Sequence, residues 1–277
     1  MSTLTEVLTN QHDRIIERLQ TSSAQWSSLM HHVTRVGQSA NYLSAEKLWT
    51  FLVACGYAMA GETGVRRLSE LLTDSQQTTP DHPRIWFEPM PISPREREGA
   101  THIDLALGTI ARRSGTESGI ELVPGAYSWI CFCEMKWLSD ISPKVTYDPH
   151  RNQLLRVIEN ALCFQRSGQY AERVHVTLVT PSVLRNGPVR SRLYQYKFEE
   201  YCVDPDQIMR ELRESNLQTR SRDNWSYPPS VSQRVAQLSL HWVSYDKLFD
   251  NMPQSDIGAQ LRGLWSRYGT FQRRNNL

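Results

Sequence analysis

Apolar residues recur at helical spacing along the first 72 residues of the chain. The opening repeat consists of Leu4, Val7, Leu8, Ile15, Ile16 and Leu19. A spacing of three to four residues places apolar side chains on one face of a helix, so residues 3–36 and 41–60 are predicted to be helical. The pattern continues over residues 61–72 and is expected to end in the polar, proline-containing loop 73–83.

Shorter apolar runs follow, and they have the length and composition of strands. The predicted strands are 84–88, 102–107, 127–137, 174–180 and 238–244. A stretch rich in Gly, Ser and Arg at 111–121 indicates a hairpin loop between the second and third strands. A helix is predicted at 149–166, where Leu154, Val157 and Ile158 lie on one apolar face.

This order of elements is typical of an α/β sandwich, in which a central mixed sheet is flanked by helices. We expect residues 1–54 to form a helical N-terminal extension and residues 55–277 to form the main domain. Within that domain the polar, Arg-rich stretch 204–232 is expected to be an insertion that leaves the core.

Composition narrows the class of protein. No apolar run approaches the roughly 20 residues of a membrane-spanning helix, and the polar N-terminus lacks the apolar core of a signal peptide, so a cytoplasmic location is expected. The five cysteines are scattered without the C-x₂-C spacing of a zinc site, and we interpret all of them as reduced packing residues. Serine-hydrolase, P-loop and zinc-protease motifs are absent from the sequence.

The positive charge is carried almost entirely by arginine. The net charge is only +2, but the 31 basic residues comprise 26 Arg and five Lys. The guanidinium group suits bidentate contacts with phosphate, although a GC-rich genome, which substitutes Arg for Lys throughout, would produce the same composition without any such function. Because lysine is scarce, a lysine in a chemically suggestive position is informative.

One lysine occupies such a position, in the sequence from Trp129 to Trp137. An uncharged run ends there in Glu134 and Lys136, which alternation along a strand places on the same face as Phe132. With 29 acidic residues and five lysines in 277 positions, about 0.5 occurrences of acid-x-Lys are expected by chance. The motif alone is therefore weak, and its place at the end of a buried strand gives it weight, because buried charges need a partner or a function.

The preceding strand contains one acid, Asp104, within an apolar pattern. Ile103, Leu105 and Leu107 are expected on one face and Asp104 on the other. Aspartate is disfavoured inside strands, so its presence at this position suggests a specific role. The predicted hairpin places Asp104 beside Glu134, where both carboxylates could bind one divalent cation.

An acid on one strand, acid-x-Lys on the next and a helix after them resemble the PD-(D/E)xK nuclease superfamily, whose core is restriction-endonuclease-like. The resemblance covers about residues 55–180 and departs from the nominal motif in having Ile103 where Pro is named. It implies that Asp104, Glu134 and the Met135 carbonyl bind Mg²⁺ and that Lys136 assists the attacking water. A bound Mg²⁺ would depress the pKa of Lys136.

The resemblance also implies a glutamate on the first core helix that completes the metal site, and Glu62 takes that place as a metal ligand, with Glu88 as the alternative. Glu62 could equally be a surface residue paired with Arg66. Loop arginines Arg112 and Arg113, together with Arg151 and Gln153 near the helix that follows the motif, are expected to contact nucleic acid. Solvated arginines and helix-start residues are the simpler alternatives.

The implied function is hydrolysis of DNA phosphodiester bonds by a Mg²⁺-dependent endonuclease, with Mn²⁺ as a substitute for Mg²⁺ and RNA as an alternative substrate. Restriction, phage defence and DNA processing are all compatible with it, as is a homodimer. Two alternatives stay open: a non-cleaving nucleic-acid-binding or assembly protein with the same fold, and a coincidental triplet in an unrelated α/β protein.

Overall fold

The computed structural model describes residues 4–21, 23–35, 46–77, 83–145, 148–186, 192–222 and 225–269. The predicted helical residues 41–45 and the predicted loop residues 78–82 lie outside that part of the chain. The described strands are β1 (Trp86–Phe87), β2 (Leu105–Gly108), β3 (Ile110–Arg112), β4 (Ile120–Leu122), β5 (Trp129–Met135), β6 (Gln165–Arg166), β7 (Gln169–Tyr170), β8 (Arg173–Thr180), β9 (Ser221–Arg222), β10 (Trp225–Ser226) and β11 (Leu238–Ser244).

The five longer apolar runs form one mixed sheet with the strand order β1-β2-β5-β8-β11. Strands β1, β2 and β5 are antiparallel to one another, whereas β5, β8 and β11 are parallel. The remaining strands form three two-stranded antiparallel pairs. One of them, β3–β4, overlaps the stretch 111–121, which was predicted to be a loop and instead contains strand residues of its own. The predicted mixed sheet is confirmed, although β1 and β2 are shorter than predicted.

Helices cover both faces of this sheet. They are α1 (Leu4–Asn10), α2 (His12–Leu19), α3 (Ser23–Arg35), α4 (Glu46–Ala58), α5 (Gly61–Thr73), α6 (Gln153–Leu162), α7 (Ser182–Asn186), α8 (Leu193–Val203), α9 (Asp206–Glu214), α10 (Val231–Val235), α11 (Tyr245–Asp250) and α12 (Asp256–Leu264), followed by a π-helical turn (Trp265–Gly269). No helix in the described ranges is long and apolar enough to span a membrane.

Each face of the sheet has its own apolar core. Buried residues of α1–α5, α11 and α12 pack with Cys131, Cys133 and Met135 on one face. Buried residues of α6, α8 and α9 pack with Ile130 and Phe132 on the other. The expected alternation along β5 is therefore present, and every residue of this strand is buried because helices cover both of its faces.

The N-terminal helices are part of the first of these cores. Leu8, Ile15 and Leu19 are fully buried in the same apolar cluster as the sheet residues Cys131 and Val179. The boundary predicted at residue 54 falls inside α4, whose residues from Leu48 to Ala58 are all buried. Among the cysteines, Cys55, Cys131, Cys133 and Cys163 are buried, whereas Cys202 is exposed, contrary to the prediction for that residue.

The stretch predicted to leave the core is anchored to it. Ile208 and Leu212 of α9 are buried with the residues of α6. Arg95 bonds to this stretch through Nη1 to the carbonyl of Leu217 (2.9 Å) and through Nη2 to the carbonyl of Leu212 (2.8 Å). Trp225 is 5% exposed. The segment 204–232 is therefore packed more extensively than its polar composition indicates.

Candidate active site

The candidate site lies where the N-terminal end of β2 meets the C-terminal end of β5. The antiparallel register pairs Leu105 with Cys133, and one further step along both strands sets Asp104 opposite Glu134. The sequence pattern predicted Asp104 within a strand. In the structure β2 begins at Leu105, so Asp104 immediately precedes the strand. Ile103 accordingly packs with Ala106 on the α6 side of the sheet, and not with Leu105 and Leu107.

Asp104 is fixed to the neighbouring strand by its side chain. Its Oδ2 accepts a hydrogen bond from the backbone N–H of Met135 at 2.7 Å. Burial raises the pKa of Asp104 well above its ordinary value, and the charge of Glu134 raises it further, against the opposing effects of Lys136 and the Met135 N–H. Asp104 and Glu134, as neighbouring buried carboxyl groups, need positive charge or hydrogen-bond donors nearby to be stable as anions.

Glu134 and Lys136 form a buried ion pair. They are 2% and 5% exposed, and Lys136 Nζ lies 2.8 Å from Glu134 Oε1. That oxygen has a close ionic contact but accepts no hydrogen bond of favourable angle from any described residue. Burial raises the pKa of Glu134, although Lys136 and Arg156 counteract it.

The pKa of Lys136 is raised, because the carboxylates of Glu134, Glu46 and Asp104 outweigh the opposing effect of burial. Lys136 is therefore a cation in this environment. The lower pKa expected for Lys136 applies to the protein with Mg²⁺ bound, in which the cation would offset the charge of the same carboxylates.

Glu46, the first residue of α4, completes the cluster and was missed by the sequence analysis. Its Oε1 lies 3.0 Å from Lys136 Nζ, and its Oε2 accepts hydrogen bonds from the Trp137 N–H at 3.1 Å and the Ser139 hydroxyl at 2.6 Å. A usable signal was present, because Glu46 and Lys47 are the only charged residues between positions 46 and 58, in a helix that is otherwise apolar.

The structure does not bring Glu62 to this cluster. Glu62 is exposed on α5, whose buried side carries Gly64, Val65 and Leu68. It lines a separate open cleft of about 200 Å³ together with residues that include Glu17, Arg18 and Arg84. Glu46, which lies one helix earlier than Glu62, is the helix glutamate that contacts Lys136.

Glu88 lies closer but faces another partner. Its backbone N–H donates to the carbonyl of Asp104 at 3.1 Å. Its carboxylate, however, is paired with Lys47 at 2.5 Å and accepts a hydrogen bond from Gln25 at 3.3 Å. Glu88 therefore borders the candidate site without joining the Lys136 cluster.

Arg151 is not available to nucleic acid, and its predicted contact with DNA is wrong. The side chain is fully buried and forms ion pairs with Glu98 and Glu159, while Asp148 Oδ2 lies 3.9 Å from its Nε. Glu159 in turn pairs with Arg95 at 2.7 Å. Arg151 holds α6 to the loop before β2, because buried carboxylates need cationic partners.

The other predicted nucleic-acid contacts lie nearer the surface. Gln153 is half-buried and accepts a hydrogen bond from the Ser142 N–H at 3.2 Å. Arg112 is exposed and donates to the carbonyls of Glu117 and Gln20. Arg113 is half-buried, burial lowers its pKa, and its Nη1 has no partner among the described residues.

The site offers carboxylates, which are ligands that a hard divalent cation takes, although the described part of the chain contains no preformed cluster of metal ligands. Across the described ranges, no group of three or more His, Cys, Asp or Glu side chains is arranged to hold a metal ion. Lys136 lies between the carboxylates of Glu134 and Glu46, and Asp104 is bonded to Met135. The carboxylates of Asp104 and Glu134, on neighbouring strands, are nonetheless ligands of the kind that Mg²⁺ takes, since this ion binds through one or two carboxylates and keeps several waters.

No protein-family model, curated protein or solved structure matches this chain.

Proposed function

We propose that this protein is a metal-dependent nuclease that hydrolyses DNA phosphodiester bonds and has a restriction-endonuclease-like core. One observation carries the proposal: Asp104, Glu134 and Lys136, which lie up to 32 positions apart in the sequence, meet at one end of a mixed sheet. An acid pair with an adjacent buried lysine has the residue types that phosphodiester hydrolysis requires.

The acids would hold the cation. Asp104 and Glu134 would bind Mg²⁺, or Mn²⁺ in its place, and the Met135 carbonyl would add a ligand, as the family resemblance implies. The bound ion would supply charge for the phosphate and acidify a water. Three carboxylates, those of Glu134, Glu46 and Asp104, act on the single ammonium of Lys136, and a bound cation would offset the negative charge that Lys136 leaves uncompensated.

Lys136 would act as a cationic donor. Without a bound metal the surrounding carboxylates raise its pKa and favour the protonated ammonium, which would orient the attacking water and neutralise phosphate charge. Glu46 would position it, because its two oxygens bridge the ammonium and the backbone N–H of Trp137. Binding of an anionic substrate would compete with these carboxylates for the same ammonium.

A non-cleaving nucleic-acid-binding protein is the second candidate. The observation that favours it is the saturation of Lys136 by Glu134 and Glu46, an arrangement that a purely structural ion cluster would also produce. Cleavage activity separates the two candidates directly.

The test is incubation of the full chain with supercoiled plasmid, single-stranded DNA and RNA, each with Mg²⁺ or with EDTA. We expect cleavage of DNA with Mg²⁺ only, a loss on the order of 100-fold or more in Lys136→Ala, and retained DNA binding by that variant. Lys144→Ala is the matched control, since Lys144 is an exposed lysine eight positions away. Binding without cleavage by the wild-type protein would favour the second candidate, and equal cleavage by Lys136→Ala would refute the assignment.

A further inference from the structure

Two of the three residues of the candidate site are almost inaccessible to solvent. Glu134 is 2% exposed and Lys136 is 5% exposed, whereas Asp104 is only partly buried. A phosphodiester must come within hydrogen-bond distance of Lys136, and of a cation held by Glu134, before either can act on it. Both side chains are too buried for that contact, so a group that covers the ammonium has to move when the substrate binds.

The carboxylate of Glu46 takes up the donors that a phosphate would use. Its Oε1 lies 3.0 Å from Lys136 Nζ, and its Oε2 accepts hydrogen bonds from the Trp137 N–H and the Ser139 hydroxyl. An ammonium, a backbone N–H and a hydroxyl are donors with which proteins bind phosphate oxygens. The side chain of Glu46 is 27% exposed, so this carboxylate lies between the buried ammonium and the solvent.

The next residue, Lys47, attaches the same helical turn to the neighbouring strand. Its Nζ lies 2.5 Å from Glu88 Oε2, and the Glu88 N–H donates to the carbonyl of Asp104 at 3.1 Å. Glu46 therefore contacts the end of β5, while Lys47 contacts the segment beside Asp104. The first turn of α4 bridges the two strands that carry the site, and it does so through one ion pair to each.

The two ion pairs are not needed to attach α4 to the sheet. Every residue of this helix from Leu48 to Ala58 is buried, and the burial of apolar side chains supplies most of the free energy that holds a helix in place. Ion pairs that are partly exposed to solvent contribute little to stability. The pairs of Glu46 and Lys47 can therefore break while the rest of α4 stays packed.

We propose that Glu46 and Lys47 form an ionic clasp, which closes the Asp104–Glu134–Lys136 site in the free protein and opens when a nucleic-acid phosphate replaces the Glu46 carboxylate on Lys136. The part that phosphate plays rests on the proposed function. Access to Lys136 then depends on an anion that competes with a carboxylate, and the densely charged backbone of DNA meets that condition.

The test uses variants that break the Lys47–Glu88 half of the clasp and leave Lys136 in place. Lys47→Gln and Glu88→Gln remove the same ion pair but change the net charge in opposite directions. Glu46 is not a suitable position, because its substitution also removes the group that positions Lys136. Arg166→Gln is the control, since Arg166 forms an ion pair of similar exposure on β6.

Hydrogen exchange of the Trp137 amide reports the state of the clasp, because this N–H is bonded to Glu46 Oε2. Labelling with ¹⁵N-tryptophan gives one backbone signal for each of the eight tryptophans, and the others report general unfolding. We expect Trp137 exchange to be about 2- to 5-fold faster in Lys47→Gln and in Glu88→Gln, which is the change that losing one partly exposed ion pair allows. Arg166→Gln should match the wild type.

Binding of a fluorescein-labelled DNA duplex, measured in EDTA, tests the part that phosphate plays. Lys47→Gln and Arg166→Gln lose the same charge, so their general attraction to DNA is weakened alike. We expect Lys47→Gln to bind DNA about 2- to 5-fold more tightly than Arg166→Gln, because a larger fraction of its molecules has the site open.

Unchanged Trp137 exchange in both Lys47→Gln and Glu88→Gln would refute the clasp, whatever the protein does to DNA. Equal acceleration of all the tryptophan amides would also refute it, because the opening would then be general. If Trp137 exchange alone rises but the wild type neither binds nor cleaves DNA, the clasp stands, and the proposed function and the role of phosphate are wrong. If the wild type cleaves DNA but Lys47→Gln binds it no more tightly than Arg166→Gln, the proposed function stands and opening by phosphate is wrong.

Discussion

Replacing Arg151 with Leu tests whether this residue stabilises a buried ion network, and does not contact DNA as the sequence predicted. The substitution removes a fully buried cation and leaves the carboxylates of Glu98 and Glu159 without it. Glu159 retains Arg95 and the Tyr227 hydroxyl, at 2.7 and 2.9 Å, whereas Glu98 loses its ion-pair partner. The larger part of the penalty therefore falls on Glu98.

Breaking a buried pair by removing one partner destabilises a protein by about 3–5 kcal/mol. For a chain of this size that loss corresponds to a fall in Tm on the order of 10 °C. Urea unfolding followed by tryptophan fluorescence measures it directly. The matched control is Arg210→Leu, because Arg210 pairs with Asp204 at the surface and exposed pairs contribute about 1 kcal/mol or less.

The double variant Arg151→Leu, Glu98→Leu should recover part of the lost stability, because it no longer leaves Glu98 as an uncompensated buried charge. A loss below about 1 kcal/mol in Arg151→Leu, accompanied by weaker DNA binding, would refute this reasoning. That result would restore Arg151 as a nucleic-acid contact.

Two further predictions concern other parts of the molecule. In a cleavage assay, Glu46→Gln should lower the rate on the order of 10-fold or more, because Lys136 is released from its position. Glu62→Gln should leave the rate unchanged. The reverse result would make Glu62, and not Glu46, the helix glutamate of the site. His175, which lies 3.1 Å from His241, has its pKa lowered to about 4 from 6.5, mainly by burial. As pH falls from 6.5 towards 4, the unfolded chain takes up the proton first, so the free energy of unfolding should fall by up to about 3 kcal/mol. His175→Gln should flatten that dependence in urea unfolding, and an unchanged pH profile would contradict it.

The convergence of Asp104, Glu134 and Lys136 could be predicted because it depends on local rules. Alternation along β5 fixes which residues share a face, and a single antiparallel register sets Asp104 opposite Glu134. The mixed sheet was predictable for the same reason, since its strands appear as distinct apolar runs in the sequence.

The remaining parts of the site depend on long-range packing. Glu46 lies 90 positions from Lys136, and its helix is apolar on all sides, so helical periodicity does not identify the face that meets the sheet. Arg151 was misassigned because a basic residue at a helix start has the same local sequence whether it faces solvent or a buried carboxylate. Its partner Glu98 lies 53 positions away.

The central claim is tested most directly by the rate of DNA cleavage as a function of Mg²⁺ concentration. The measurement uses the wild-type protein, Asp104→Asn and Lys136→Ala, with Lys144→Ala as the control. We expect the wild type and the control to follow one saturating curve. Asp104→Asn should require far more Mg²⁺, and Lys136→Ala should stay inactive at every concentration. If Asp104→Asn and Lys136→Ala both follow the wild-type curve, Asp104 and Lys136 do not form the active site.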